Sequence, residues 1–299
     1  FINSLNLEYL NMAYIFLTSG FFQEALKQIV LGIIQGLTEF LPISSTAHLI
    51  IFPRLFGWGD AGLTAIASIQ LGSLIAVFIY FWNDLKKVSG GFVQIFTDGC
   101  ISKPNSKLAL SIFIGNLPIV FAGLLIKLYW PSYESSILRT PIFIGIVSVI
   151  MALFLALSEN LGNRIRNIEN IQIKDGLFVG LSQVLALIPG VSRSGITIST
   201  SLMTGLERAS SARFSFLLGI PAIFLSGLVE LHNAFSEFSI SNFVILLTGI
   251  LSASITSFYS IDLLIKFLRN HSTIIFVYYR LVFGILIIFL SYKSLYFQN

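Results

Sequence analysis

Apolar residues run along this chain in long blocks. Six of them reach or approach the ~20 residues a helix needs to cross a bilayer: 62–82, 108–128, 141–159, 212–231, 242–264 and 274–294. Each is predicted as a spanning helix. Two further apolar segments, 22–56 and 175–206, are interrupted near their centres. Pro42 and the Ser44-Ser45-Thr46 run break the first, and Pro189-Gly190 with Ser192-Arg193-Ser194 breaks the second. Each therefore reads as a helix, a break and a second helix. A break at membrane depth frees backbone groups that lipid cannot satisfy, so it must be buried in protein or line a wet cavity. Re-entrant hairpins meet that condition.

The two interrupted segments resemble each other. Gly32 to Gln35 matches Gly180 to Gln183, and the step from Gln35 to Ser44 equals that from Gln183 to Ser192, giving an offset of 148 residues. Leu71-Gly72 and Leu218-Gly219 keep nearly the same offset in the first span after each hairpin. Matching breaks in two halves point to an inverted-topology repeat with a site near the bilayer midplane. The expected fold is thus an all-α integral membrane protein with six transmembrane helices and two re-entrant helical hairpins. It forms one polytopic domain over 1–299, with repeat 1 at 22–128 and repeat 2 at 175–294.

Composition supports a membrane protein. Hydrophobic residues make up 55% of the chain and charged residues 11%, with a mean hydropathy of +0.87, too few charges to cover a soluble globule of 299 residues. The net charge of +4 and pI near 9.2 do not indicate a nucleic-acid partner, because the basic residues are scattered in short loops. A single cysteine, Cys100, excludes an internal disulfide and a thiolate metal cluster. The first residues lack the pattern of a signal peptide, and the closing Ser294-Leu295-Tyr296-Phe297-Gln298-Asn299 resembles the remnant of an engineered protease site.

The basic residues report topology. Threading two hairpins and six spans puts Lys86, Lys87, Lys103, Lys107, Arg164, Arg166, Lys174, Arg208, Arg213, Lys266 and Arg269 on one side. The other side receives Arg54, Lys127, Arg139 and Lys293, so the first side is expected to be cytoplasmic. Both termini then lie outside. The first hairpin dips in from the outer face and the second from the cytoplasmic face, so that their tips can meet.

Ionisable groups inside lipid-soluble sequence are hypotheses about function. Gln35 and Glu39 lie four apart, on one helical face. Glu39 suits a divalent-cation ligand or a proton carrier, or a buried partner for a basic residue. Ser44 reads as an N-cap, while Ser45 and His48, three apart, can share a face as hydroxyl and base. Arg193 offers a planar fork of donors for phosphate oxygens, with the hydroxyls of Ser192, Ser194 and Thr197 nearby. A new helix N-terminus after Pro189-Gly190 adds partial positive charge. Arg193 can also pair with Glu39. Together these groups make a kit for phosphoryl transfer without a soluble-type nucleotide loop.

The stretches 35–48 (QGLTEFLPISSTAH) and 189–197 (PGVSRSGIT) resemble the two signature motifs of the undecaprenyl-diphosphate phosphatase family of the bacitracin-resistance type. The similarity extends to 67–73 (ASIQLGS) and 214–218 (FSFLL). It implies a bacterial inner-membrane enzyme that removes the terminal phosphate from undecaprenyl diphosphate to recycle the carrier lipid of peptidoglycan synthesis; in such a membrane the outer side, expected from the charge pattern to hold both termini, is the periplasmic one. The resemblance places the acidic motif on Gln35 and Glu39, the Ser-His pair on Ser45 and His48, and the arginine motif on Ser192, Arg193, Ser194 and Thr197. Two positions depart from it: Gln35 stands where other members carry glutamate, and Ala47 replaces a common glycine.

The expected catalytic residues are Glu39, Ser45, His48 and Arg193. Gln35, Ser44, Thr46, Ser192, Arg193, Ser194 and Thr197 are expected to bind substrate. A magnesium or calcium ion near Glu39 is the expected cofactor. Expected partners are a polyprenyl diphosphate, membrane lipids and a second copy of the chain in a homodimer. Ser45 with His48 as base, His48 itself, or water activated by His48 all remain open as the attacking group. The competing class is an inverted-repeat secondary transporter or lipid flippase for an anionic substrate, which needs the same broken helices but no bond cleavage.

Overall fold

The computed structural model describes residues 19–58, 63–99, 101–235 and 240–297. Cys100 and the N-terminal segment 1–18 lie outside the described residues. The described chain is helical, and its one β-type contact is an isolated bridge between Arg166 and Leu206. Its helices are α1 (Ser19–Thr38), α2 (Ser45–Leu55), α3 (Leu63–Tyr80), α4 (Trp82–Asp98), α5 (Pro104–Tyr129) and α6 (Pro141–Leu161), followed by α7 (Ile173–Gln183), α8 (Arg193–Met203), α9 (Arg208–Phe235), α10 (Ile240–Asn270) and α11 (Ile274–Phe297).

Among the described residues five helices are long and apolar enough to cross a membrane: α5, α6, α9, α10 and α11. They coincide with five of the six apolar blocks. The block at 62–82 behaves differently. Its helix α3 is apolar over 18 residues and bends by 78° at Phe81 into α4, and the described parts Ser68–Tyr80 and Trp82–Thr97 together meet the length and composition of a bent span. Beyond the bend the character changes: Asp84, Lys86, Lys87, Gln94 and Asp98 make α4 amphipathic.

Local sequence explains where the helices start and stop. Pro104 and Pro141 open α5 and α6 at the first turn, where a missing N–H costs nothing. Gln172 and Asp175 form a reciprocal capping box at the start of α7. In the last turn of α6, Glu159 accepts from Arg164 Nη1 at 2.8 Å and from Thr273 Oγ1 at 2.6 Å, and also from Arg208. This buried carboxylate ties three inter-helix turns together.

Close helix packing relies on small residues, as expected where lipid supplies no hydrophobic drive between helices. At Gly32 and Gly36 of α1 a Cβ would collide with Ser252 and Thr256 of α10. At Gly176 and Gly180 of α7 it would collide with the backbone of Ser111 and Gly115 in α5. The first helix of each interrupted segment thus packs on a helix from the other half of the chain. Phe40, fully buried, meets Phe216 edge-on at 5.0 Å and anchors the first break in the core.

Candidate active site

The two breaks are built alike. Ser44 precedes α2 with φ 76° and ψ 94°, and its hydroxyl accepts from the amide of Ala47. Ser192 precedes α8 with φ 73° and ψ 113°, and its hydroxyl accepts from the amide of Gly195. Both serines therefore hold a left-handed backbone that L-residues avoid, at a cost of about 1–2 kcal/mol each. The side-chain caps offset part of that cost. Each cap turns the chain abruptly into a short helix whose first amides lack intrahelical partners.

The tips of the breaks touch. Ser194 Oγ lies within hydrogen-bond distance of the carbonyls of Glu39 (3.1 Å) and Leu41 (3.0 Å). Arg193 Nη2 donates to Glu39 Oε1 at 3.2 Å, and Nη1 donates to the carbonyl of Ser215 at 3.1 Å. The guanidinium packs directly against Gly219, where a Cβ would fall 1.9 Å from Nη1. Thr197 Oγ1 donates to the Arg193 carbonyl at 2.7 Å and meets Ser215 Oγ at 2.6 Å, fixing the first turn of α8 to α9.

Glu39 collects donors from both halves of the chain. Its Oε2 accepts from Ser45 Oγ at 2.6 Å and from Gln35 Nε2 at 3.0 Å. Gln35 also reaches Ser73 Oγ at 3.4 Å, and Ser73 in turn accepts from Ser257 at 2.8 Å. In place of the glutamate that the family resemblance would put at this position, Gln35 supplies an amide donor to the neighbouring carboxylate. The polar face predicted for α1 therefore exists, and its two members touch each other.

His48 occupies a different place from the one the Ser-His pairing requires. Its Nδ1 is 2.7 Å from the Ser44 carbonyl and its Nε2 is 2.7 Å from the Tyr279 hydroxyl. The ring is stacked on Phe283 at 4.2 Å and flanked by Phe52 and Tyr279. Both nitrogens are engaged away from Ser45, so the hydroxyl of Ser45 is held by Glu39 and not by the imidazole. On a helix, three residues of separation allow a shared face but do not force contact; here the aromatic stack draws the imidazole the other way.

Next to the breaks lies a cavity of about 620 Å³. Glu39, Ser44, Ser45, Thr46, Ser192 and Arg193 line one part of it. Ile119, Val120 and Leu124 of α5 and Ile223 and Leu225 of α9 line an apolar part, with Gln70, Lys127 and Ser226 as further polar members. The cavity thus joins a charged, amide-rich end to a hydrocarbon-like groove. Gln35, His48, Ser194 and Thr197 lie behind its wall, where they fix the residues that do face it.

Among the described residues Glu39 is the one carboxylate lining the cavity, and no group of three or more His, Cys, Asp or Glu is placed to hold a metal. That donor set does not build a protein cage for a cation. It fits a hard ion that keeps most of its waters and shares the oxygens of a bound phosphate, as magnesium does.

Several residues of the site fall outside the sequence motifs. Ser73 and Ser215 lie in the similar stretches 67–73 and 214–218 and Gly219 in the Leu218-Gly219 repeat match, without a role assigned to them there, and Tyr279 carries no signal of its own. Arg280 does: an arginine inside the apolar block 274–294 falls under the same rule that singles out Glu39 and Arg193.

Residues 28–286 match the family described as bacitracin resistance protein BacA. A Prochlorococcus marinus protein named undecaprenyl-diphosphatase is 54% identical over 272 residues, covering 91% of this chain and 94% of the relative. One of the same name from Synechococcus sp. is 55% identical over 262 residues, covering 88% and 92%. Another from Trichodesmium erythraeum is 51% identical over 263 residues, covering 88% and 84%. With its two breaks, its Glu39–Arg193 contact and this likeness along nearly the whole sequence, the chain belongs to the bacitracin resistance protein BacA family.

Proposed function

We infer that this chain is an undecaprenyl-diphosphate phosphatase, a membrane hydrolase that releases inorganic phosphate and returns undecaprenyl phosphate to peptidoglycan synthesis. The observation that carries the reading is the shared cavity, in which a serine held by a carboxylate and an arginine fork meet an apolar groove. The diphosphate takes the polar end, next to Arg193 and the free amides of α2 and α8, where partial positive charge favours anions. The prenyl chain takes the groove between α5 and α9.

In the proposed mechanism Ser45 Oγ attacks the terminal phosphorus while its proton passes to Glu39, 2.6 Å away. The bond between that phosphorus and the bridging oxygen breaks, and its electron pair leaves with undecaprenyl phosphate. Water then attacks the phosphoserine, inorganic phosphate departs and Ser45 regains its proton. Arg193 stabilises the charge on the equatorial oxygens throughout. Glu39 would be the protein carboxylate that holds a magnesium or calcium ion, which would supply screening of the substrate's charge. The bond from Ser45 to Glu39, together with the engagement of both His48 nitrogens elsewhere, favours Glu39 over His48 as proton acceptor.

The topology that suits this chemistry is an inverted repeat in a bacterial inner membrane. The segments 22–56 and 175–206 enter as re-entrant hairpins from the outer and cytoplasmic faces, both termini are periplasmic, and α3 with α4 completes a sixth, bent span. The equal caps at Ser44 and Ser192 and the crossed packing of α1 on α10 and α7 on α5 support that arrangement.

The deciding experiment measures phosphate release from undecaprenyl diphosphate by the purified chain in detergent, where vectorial transport is impossible. Stoichiometric phosphate and undecaprenyl phosphate are expected. Binding of the lipid without phosphate release would overturn the hydrolase and favour a carrier.

A further inference from the structure

Arg280 is fully buried in α11 and lies outside the cavity-lining set. The partners of its guanidinium are all backbone carbonyls. Nε donates to Ser148 at 3.3 Å, Nη2 to Gly190 at 2.6 Å, and Nη1 to both Pro42 at 3.1 Å and Val191 at 3.0 Å. One guanidinium nitrogen therefore bridges the first break to the second. The Ser148 carbonyl adds α6 as a third attachment point.

The carbonyls of Pro42, Gly190 and Val191 are ones the breaks leave without a regular helical partner. In a bilayer-embedded core each would cost several kcal/mol if left unsatisfied. An arginine satisfies all three at once because its five N–H groups radiate in one plane, whereas lysine offers one nitrogen and three donors. The fixed carbonyls also set the facing amides. A trans peptide is planar with its C=O and N–H pointing opposite ways, so turning the Val191 carbonyl onto Arg280 turns the Ser192 N–H away from it. The first turn of α8 is seated on the same group, since a Cβ at Gly195 would come within 3.0 Å of Arg280 Nη1.

We propose that Arg280 is a positioning residue for phosphate transfer: its guanidinium locks the two breaks in register, so that Ser45 on α2 and Arg193 on α8 meet the same phosphorus. It does not touch the substrate. Its effect is to hold two short helix N-termini, which come from distant parts of the chain, at the separation that the transition state needs. The proposal rests on the phosphatase reading, and turnover by the unaltered chain tests that reading separately.

The test compares Arg280→Lys and Arg280→Met with the unaltered chain, in detergent, by kcat and KM for undecaprenyl diphosphate, by inhibition with orthovanadate, and by thermal unfolding. Misplacing reacting groups by about 1 Å costs about 100-fold in rate, so Arg280→Lys is expected to lose kcat by about that factor. KM and inhibition by undecaprenyl monophosphate, which depend mainly on the prenyl groove, are expected to stay within a few-fold. Orthovanadate, which mimics the transferring phosphoryl group, should weaken in parallel with kcat. A merely structural role would lower the unfolding temperature and leave kcat and the vanadate response of the folded fraction unchanged, which would overturn the proposal. Should both variants fail to fold, Gly195→Ala presses on the same guanidinium, and because its methyl would also meet Ser192 Cβ at 3.0 Å it is read against Ser192→Gly/Gly195→Ala, which removes the Ser192 contact and keeps the one to Arg280. A fall in kcat of about tenfold with parallel weakening of vanadate supports the proposal, and unaltered kinetics refute it.

Discussion

Ser44 and Ser192 stand 148 residues apart and share one unusual backbone: φ of 76° and 73°, each with its hydroxyl capping the amide three residues on. The equivalence is of conformation as well as sequence. Each serine ends an irregular break and starts a helix of 11 residues, α2 and α8, and each lines the same cavity. The side chains that follow them are unlike. After Ser44 comes the hydroxyl of Ser45, and after Ser192 comes the guanidinium of Arg193. One backbone device thus presents a nucleophile in one half and an anion receptor in the other.

At such positions glycine and alanine should act differently. Ser192→Gly removes the cap but relieves the left-handed strain, and its net effect on stability is expected within about 1 kcal/mol of zero. Ser192→Ala loses the cap and keeps the strain, so it should destabilise by about 1 kcal/mol or more. Thermal unfolding in detergent of both variants, repeated at Ser44, checks the ordering. Equal stability of the alanine and glycine variants would show that the left-handed backbone carries no strain.

How much of this is legible in the sequence depends on the range of the interaction. Five spans and both breaks can be read because a bilayer demands long apolar runs and punishes Pro42 and Pro189-Gly190 within them. The nearness of Glu39 and Arg193 follows from charge compensation in lipid, a rule that acts at any sequence distance. The bend at Phe81 leaves no such mark, because apolar residues continue through it and the polarity of α4 only shows afterwards. The place of His48 cannot be read either. Its orientation follows from Tyr279 and Phe283, more than 200 residues away. Gly219 is another such case, since its lack of a side chain matters only once Arg193 lies on it.

With both ring nitrogens of His48 bonded to Ser44 and Tyr279, the proton path from Ser45 is expected to run through Glu39. Ser45→Ala and Glu39→Gln should each lower kcat by at least about 1,000-fold, since groups acting as a unit fail together. His48→Gln, which keeps hydrogen-bonding capacity in the aromatic stack, should lose no more than about tenfold, or roughly 1.4 kcal/mol of barrier. Steady-state phosphate release by the three variants gives the ranking. A His48→Gln loss as large as that of Ser45→Ala would return the base role to the imidazole. Rapid quenching should trap phosphate on Ser45.

Arg193 depends on what its neighbour lacks. A methyl group at position 219 would come 1.9 Å from Nη1 and 2.4 Å from Cζ of Arg193, closer than atoms can approach. Gly219→Ala should therefore expel the guanidinium from its seat and break its bond to the Ser215 carbonyl. The expected result resembles Arg193→Lys: a drop in kcat/KM of about 100-fold, comparable to losing one donor to a developing oxyanion. The double variant should be little worse than either single one, because both remove the same interaction. Additive losses would mean that Gly219 acts apart from Arg193.

Gly123 of α5 lines the cavity beside Val120 and Leu124, and nothing lies within 4 Å of where its Cβ would be. That open space offers a narrow test of the prenyl groove, because a side chain there enters the cavity from α5. Gly123→Phe should weaken binding of a long prenyl chain while leaving the transferring phosphorus in place. KM for undecaprenyl diphosphate is expected to rise by about tenfold or more, the equivalent of losing one or two buried methylene contacts. For farnesyl diphosphate, whose tail is shorter, the rise should be smaller and kcat should be retained. Measured side by side, the two substrates separate a blocked groove from a damaged centre, which would lower kcat equally on both; an unchanged KM for undecaprenyl diphosphate would place the hydrocarbon chain elsewhere on the protein.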